Sequence, residues 1–178
     1  MSTNANVITQ TEDGNFVSVY THWDGYPSWR LMVLLNYYNS QEKVDDLIAL
    51  GDLSSVNPVL EGDKNACVAY CRDRGEEFNT TTSNHAEDLI GGEFSYLFKG
   101  GKWFFCIVER EGHTIPSRTW VDAQEWIDEA LKGSDYTINE ADPMEMEWDE
   151  NGWVVRSELF SKSYGLINDH QKKTLGDF

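Results

Sequence analysis

Along the chain, apolar and polar positions change period several times, and each change marks an element. Phe16 to Trp23 alternates, with Phe16, Ser18, Tyr20 and His22 on one side and Val17, Val19, Thr21 and Trp23 on the other; a period of two predicts a strand. Pro27 disfavours helix at Tyr26 and fits a first helical turn. The run from Trp29 through Leu31 to Leu35, Tyr37 and Tyr38 is apolar nearly all round and predicts a buried helix from about residue 27 or 28. Ser40 is an N-cap for a second helix over 41–50, with Val44, Leu47 and Ile48 on one face and Gly51 as its stop.

Farther on, 66–72 reads as a strand, and the polar stretch 75–92 as a long loop. Two aromatic strands, 94–99 and 102–108, flank Gly100-Gly101 and predict a two-residue hairpin. Thr119 is a candidate cap, with Asp122 at the capping-box position, for a third helix carrying Ala123, Trp126, Ile127, Ala130 and Leu131 at helical spacing and closing at Lys132-Gly133. Trp148 and Trp153 around Asn151-Gly152 predict a second hairpin, and a short tail ends the chain. Residues 1–14 read as a flexible arm. The expected fold class is α+β: a mainly antiparallel sheet with about three helices packed on it, in one domain over 15–178 with an acidic part at 122–150.

Composition narrows the class. The 178 residues suit one core, and 13% aromatics argue against disorder. Cys67, Cys71 and Cys106 are an odd number without zinc-type spacing, which points to reduced thiols. No export signal and no membrane span are expected. Charge changes the picture most: 31 acidic against 14 basic residues leave −17. That balance opposes direct binding to nucleic acid or anionic membrane and favours basic partners.

The acids are concentrated. Residues 122–150 hold eleven of them, among them Asp122, Glu125, Asp128, Glu129, Glu145, Glu147, Asp149 and Glu150, against the single base Lys132. On a helix rising about 1.5 Å per residue, Asp122, Glu125 and Glu129 are spaced by roughly 4.5 and 6 Å. Phosphates along one nucleic-acid strand recur about every 3.4 Å. The leading expectation is a non-enzymatic protein whose acidic surface imitates a phosphate backbone; a solvated helix face is the plainer alternative.

Two other clusters carry candidate chemistry. His22 and Asp24 could ligate a metal or act as base and orienter, with His85, His113 or Asp73 as further ligands by availability alone. Turn chemistry favours a structural role instead: an Asx-type turn at Asp24 before Gly25. Arg72 and Arg74, read as strand-end residues on one face beside Gly75, suit a phosphate or carboxylate. The alternative function is therefore a module sequestering a nucleotide-like ligand, with His22, Trp23, Asp24, Tyr26, Arg72 and Arg74 as its pocket; mutual neutralisation of the arginines by Asp24, Asp73 or Glu76 competes with it. An enzyme using His22, Asp24 and Cys71 ranks third. No cofactor or metal is expected, and the oligomeric state is left open.

The segments His22-Trp23-Asp24-Gly25-Tyr26-Pro27, Leu50-Gly51-Asp52-Leu53-Ser54-Ser55 and Tyr70-x-Arg72-Asp73-Arg74-Gly75-Glu76, followed by the aromatic hairpin, resemble a group of small uncharacterised bacteriophage and prophage proteins. The resemblance covers about residues 16–103 and leaves out the acidic part. It implies a viral accessory protein in the bacterial host cytoplasm, of a class that includes inhibitors of host enzymes and of antiviral defence. In charge, though not in motif, the chain is similar to DNA-mimic antirestriction proteins. The expected partner is accordingly a basic nucleic-acid-binding host or defence protein.

Overall fold

The computed structural model describes residues 3–62, 65–109, 115–136, 146–149, 152–155 and 158–176. In chain order the elements are β1 (Ala5–Gln10), β2 (Phe16–Trp23), α1 (Pro27–Tyr37), α2 (Gln41–Ile48), β3 (Leu53–Ser55), β4 (Val68–Ala69), α3 (Tyr70–Arg74), β5 (Thr81–Ser83), a 3₁₀ turn (Ala86–Leu89), β6 (Phe94–Lys99), β7 (Lys102–Ile107), β8 (Val121–Asp122), α4 (Ala123–Ala130), β9 (Met146–Asp149), β10 (Gly152–Val155) and α5 (Glu158–Leu175).

The class is α+β, and the main sheet is mixed. Its order is β4-β3-β2-β1-β6-β7-β8, with β5 against the first half of β2. The β1–β6 and β2–β3 pairs are parallel and the others antiparallel. This corrects the mainly antiparallel expectation: local hairpin signals reveal antiparallel neighbours, whereas parallel partners come from remote chain. Among the described residues there are five α-helices, where about three were expected.

One face of the sheet carries the helices. Ala5, Val7 and Val19, then Phe94, Tyr96, Phe98, Trp103, Phe105 and Ile107, pack there against Leu31, Leu34, Val44, Leu47, Trp126, Ile127 and Ile167 in one core. The other face holds a smaller cluster, Ile8, Phe16 and Leu97 under Ala86 and Leu89 of the 3₁₀ turn. A central strand is therefore covered on both sides, which explains the largest correction. The arm expected over 1–14 contains β1, between β2 and β6, with Val7 and Ile8 both fully buried. Burial on both faces erases the alternation by which a strand is recognised.

Several expectations hold in detail. Pro27 opens α1, and the Ser40 hydroxyl accepts from the Lys43 amide at the start of α2. Gly100 and Gly101 both have positive φ, 61° and 78°, as the β6–β7 turn requires. Trp148 and Trp153 are register partners in the β9–β10 pair, while Asn151 lies outside the described residues. Other expectations shift. Asp122, not Thr119, caps α4, accepting from the Glu125 amide at 3.1 Å. The strand expected over 66–72 is cut to two residues by α3, and the loop expected over 75–92 contains β5 and the 3₁₀ turn.

The short tail is also corrected: it is α5, seated on α1 and α4. Its buried line is Ser163, Ile167, Gln171 and Leu175, an i, i+4 series in which half the members are polar. Gln171 accepts from the Ser28 amide at 2.8 Å, and the Trp126 indole donates to the Thr174 hydroxyl at 3.2 Å. An apolar count misses a helix docked through such hydrogen bonds.

Candidate functional site

The His22–Pro27 segment is a shaped junction between sheet and helix. It includes a cis Trp23–Asp24 peptide bond. The Asp24 carboxylate accepts from the Tyr26 amide at 3.3 Å, the Asx-type turn that turn chemistry favours. Gly25 donates its amide to Thr3 at 2.8 Å and accepts from the Tyr96 hydroxyl at 2.5 Å. A Cβ at Gly25 would lie 2.5 Å from the Thr3 carbonyl oxygen, so this close approach, rather than an unusual φ, demands glycine.

Arg30, one turn into α1, holds the junction from beneath. It is fully buried and donates to the Thr21 hydroxyl at 2.9 Å and to the carbonyls of Trp23 and Asp24 at 3.2 and 3.3 Å. Its guanidinium also sits 5.9 Å from the centre of the Tyr96 ring. Burial pushes the Asp24 carboxyl above its ordinary range, opposed by the Tyr26 amide and by Arg30. Trp23 and Asp24 are thus engaged by Arg30, and Tyr26 packs edge-on against Phe94. Sequence reasoning passed over Arg30 because a base within an apolar helix gives no sign of carbonyls waiting below it.

Arg72 and Arg74 do not share a face. On α3, residues two apart diverge by about 200°. Arg72 pairs with Asp73 at 3.0 Å and donates to the Cys67 carbonyl at 2.9 Å. Arg74 lies over the Tyr70 ring at 5.1 Å and donates to the Ser54 hydroxyl at 3.3 Å. Of the six residues expected to form a ligand pocket, His22 and Arg74 both belong to the polar group beside β3. There the Tyr20 hydroxyl and His22 Nδ1 are 2.8 Å apart, and Asp52 accepts from the Tyr20 amide at 2.9 Å. Tyr20, Asp52, Ser54 and Tyr70 were not singled out as site residues. Their signal was the strand alternation continued into residues 52–54.

No three His, Cys, Asp or Glu side chains gather to hold a metal among the described residues. His113 lies outside them. All three thiols are free; Cys67 and Cys106 are buried, and burial raises both, Cys106 to about 12.

The acidic part divides. Asp122 is occupied as the cap of α4 and lies 3.7 Å from Lys102. Glu125, Asp128 and Glu129 stand exposed on the outer side of α4. Asp128 accepts from the Gln124 amide group at 2.9 Å, and no ion pair engages these three among the described residues. Glu42, Asp45 and Asp46 are exposed on α2 in the same helical layer, an addition the sequence count had not joined to them. Glu147 and Asp149 fall on β9; Glu145 and Glu150 lie outside the described residues. Beside the start of α4 is a cleft of about 430 Å³ floored by Leu35, Phe98 and Trp103 and rimmed by Asn39, Lys102 and Glu125.

Comparison of the chain with protein-family models, with curated proteins and with solved structures returned no match. No helix among the described residues is long and apolar enough to cross a membrane.

Proposed function

We propose that this chain is a non-catalytic inhibitor, of the kind a bacteriophage supplies against a host or antiviral-defence enzyme. It docks a basic, nucleic-acid-directed protein through the outer face of α4. The observation that supports this reading is the exposure of Glu125, Asp128 and Glu129 without an ion-pair partner among the described residues, on a helix held by Trp126 and Ile127. Carboxylates left in water and set at helical spacing present an ordered row of charge at little desolvation cost until a partner arrives. The adjoining cleft adds selectivity. An arginine or lysine stem can lie along Leu35 and Phe98 while its charged end meets Glu125.

Affinity capture from bacterial lysate tests the reading. The intact protein should retain a basic nucleic-acid-binding partner that is released by rising salt and by added duplex DNA. A Glu125→Gln/Asp128→Asn/Glu129→Gln variant should retain none. Retention that is indifferent to salt, to DNA and to these substitutions would remove the proposal.

A further inference from the structure

The face of the sheet away from the helices has a cavity of its own. In β6, Tyr96 and Phe98 enter the main core, so Leu97 and Lys99 leave the strand on the other side. Leu97 is the register partner of Phe104 on β7, and both belong to one apolar cluster with Phe16 and Trp120. Phe16, Leu97, Phe104 and Trp120 wall a cavity of about 330 Å³, and the exposed His85, Glu87 and Lys99 contribute its polar lining. Such a volume is at the small end for ligand pockets, with their usual composition of apolar walls and a few polar groups.

The charges on this cavity are its most telling feature. Lys99 holds its ammonium 5.8 Å from the centre of the Phe16 ring, over an apolar wall. In a protein with 31 acids against 14 bases it forms no ion pair among the described residues, and neither does Glu87. The two therefore line one cavity without closing on each other. Lys102, at the cleft beside α4, differs in lying within pairing distance of Asp122.

We propose that this cavity binds a free aromatic α-amino acid. Its ring enters between Phe16, Phe104 and Trp120, its carboxylate meets Lys99 and its ammonium meets Glu87. A net charge of −17 repels an aromatic anion on approach, and Lys99 repels an aromatic amine at the cavity. A zwitterion carries no net charge and satisfies both side chains. The site lies on the other side of the sheet from the α4 carboxylates and stands whether or not those dock a protein.

The test is isothermal titration calorimetry of the full chain with L-phenylalanine and with three probes that each lack one part of it. These are 3-phenylpropionate without the ammonium, phenethylamine without the carboxylate, and glycine without the ring. L-phenylalanine should bind saturably, 3-phenylpropionate and phenethylamine about tenfold or more weaker, the size of one lost charge-assisted contact, and glycine not at all. Lys99→Gln should weaken L-phenylalanine about tenfold without weakening phenethylamine, and Glu87→Gln should weaken it by a similar factor without weakening 3-phenylpropionate. Both side chains are exposed, so neither substitution threatens the fold. Glu125→Gln, at the cleft beside α4, should change nothing. Absence of saturation with L-phenylalanine, equal affinity for any of the three partial probes, full affinity in Lys99→Gln or Glu87→Gln, or lost binding in Glu125→Gln would overturn the proposal.

Discussion

Arg30 is the residue on which the junction most depends. A charge fully out of water is tolerated only when its donors and its field are both satisfied. Here one hydroxyl, two carbonyls, the face of Tyr96 and the nearby Asp24 carboxylate do so. Arg30→Met would leave those oxygens without a donor and Asp24 without its opposing charge. The expected loss is about 3 kcal/mol or more in urea denaturation, since each buried oxygen left without its donor costs about 1–3 kcal/mol. Adding Asp24→Asn should return part of that loss, because an amide can keep the bond to the Tyr26 amide without a buried charge. A double variant no more stable than Arg30→Met would contradict this account. At this scale the turn itself was legible: Pro27 starting a helix and Asp24 closing an Asx turn are local chemistry. Arg30 was not legible, since its partner Tyr96 is contributed by a strand far along the chain.

At the scale of elements, α5 shows how a helix can be essential yet poorly marked in sequence. Ile167 and Leu175 supply its apolar contacts, and Gln171, Thr174 and His170 supply polar ones to α1 and α4. The His170 ring lies 5.0 Å from that of Trp126. Burial lowers the proton affinity of His170, with Glu129 opposing and Lys173 reinforcing the shift. A lowered histidine pKa means that the folded state resists protonation. Its stabilising contribution is therefore present above the ordinary value of 6.5 and lost as pH falls through the folded value. Melting temperature should decline on acidification below about pH 6.5, and His170→Gln should flatten that part of the profile. An identical acid limb in the variant would assign the decline to other groups. The β6–β7 hairpin and α2 were readable because turn, cap and period all lie within a few residues. The short strand β4 and the helix α3 were not, because their boundary depends on which strand Val68 and Ala69 can reach.

For the whole molecule, a charge of −17 acts against compactness. On α4, Glu125 stands three and four residues before Asp128 and Glu129, a like-charge spacing that costs a few tenths of a kcal/mol per pair. Thermal stability should therefore rise with moderate salt. The Glu125→Gln/Asp128→Asn/Glu129→Gln variant should melt slightly higher than the parent at low salt and lose part of the salt response. A lower melting temperature would mean that these carboxylates stabilise the fold, which would remove the reason for regarding them as held for a partner. The same experiment separates loss of partner capture from loss of structure.

Local physical chemistry in the sequence was sufficient for the β2 alternation, the buried α1, the capped α2, the double-glycine hairpin and the uneven distribution of acids. Each depends on neighbours within about one turn or one hairpin. Tertiary structure decided that residues 5–10 form a central strand, that two strand pairs run parallel, that Arg72 and Arg74 diverge, and that Arg74 meets Ser54 beside His22. Those outcomes depend on which distant segment occupies each side of a backbone ladder. Hydrophobic period encodes that a surface is buried, not what buries it.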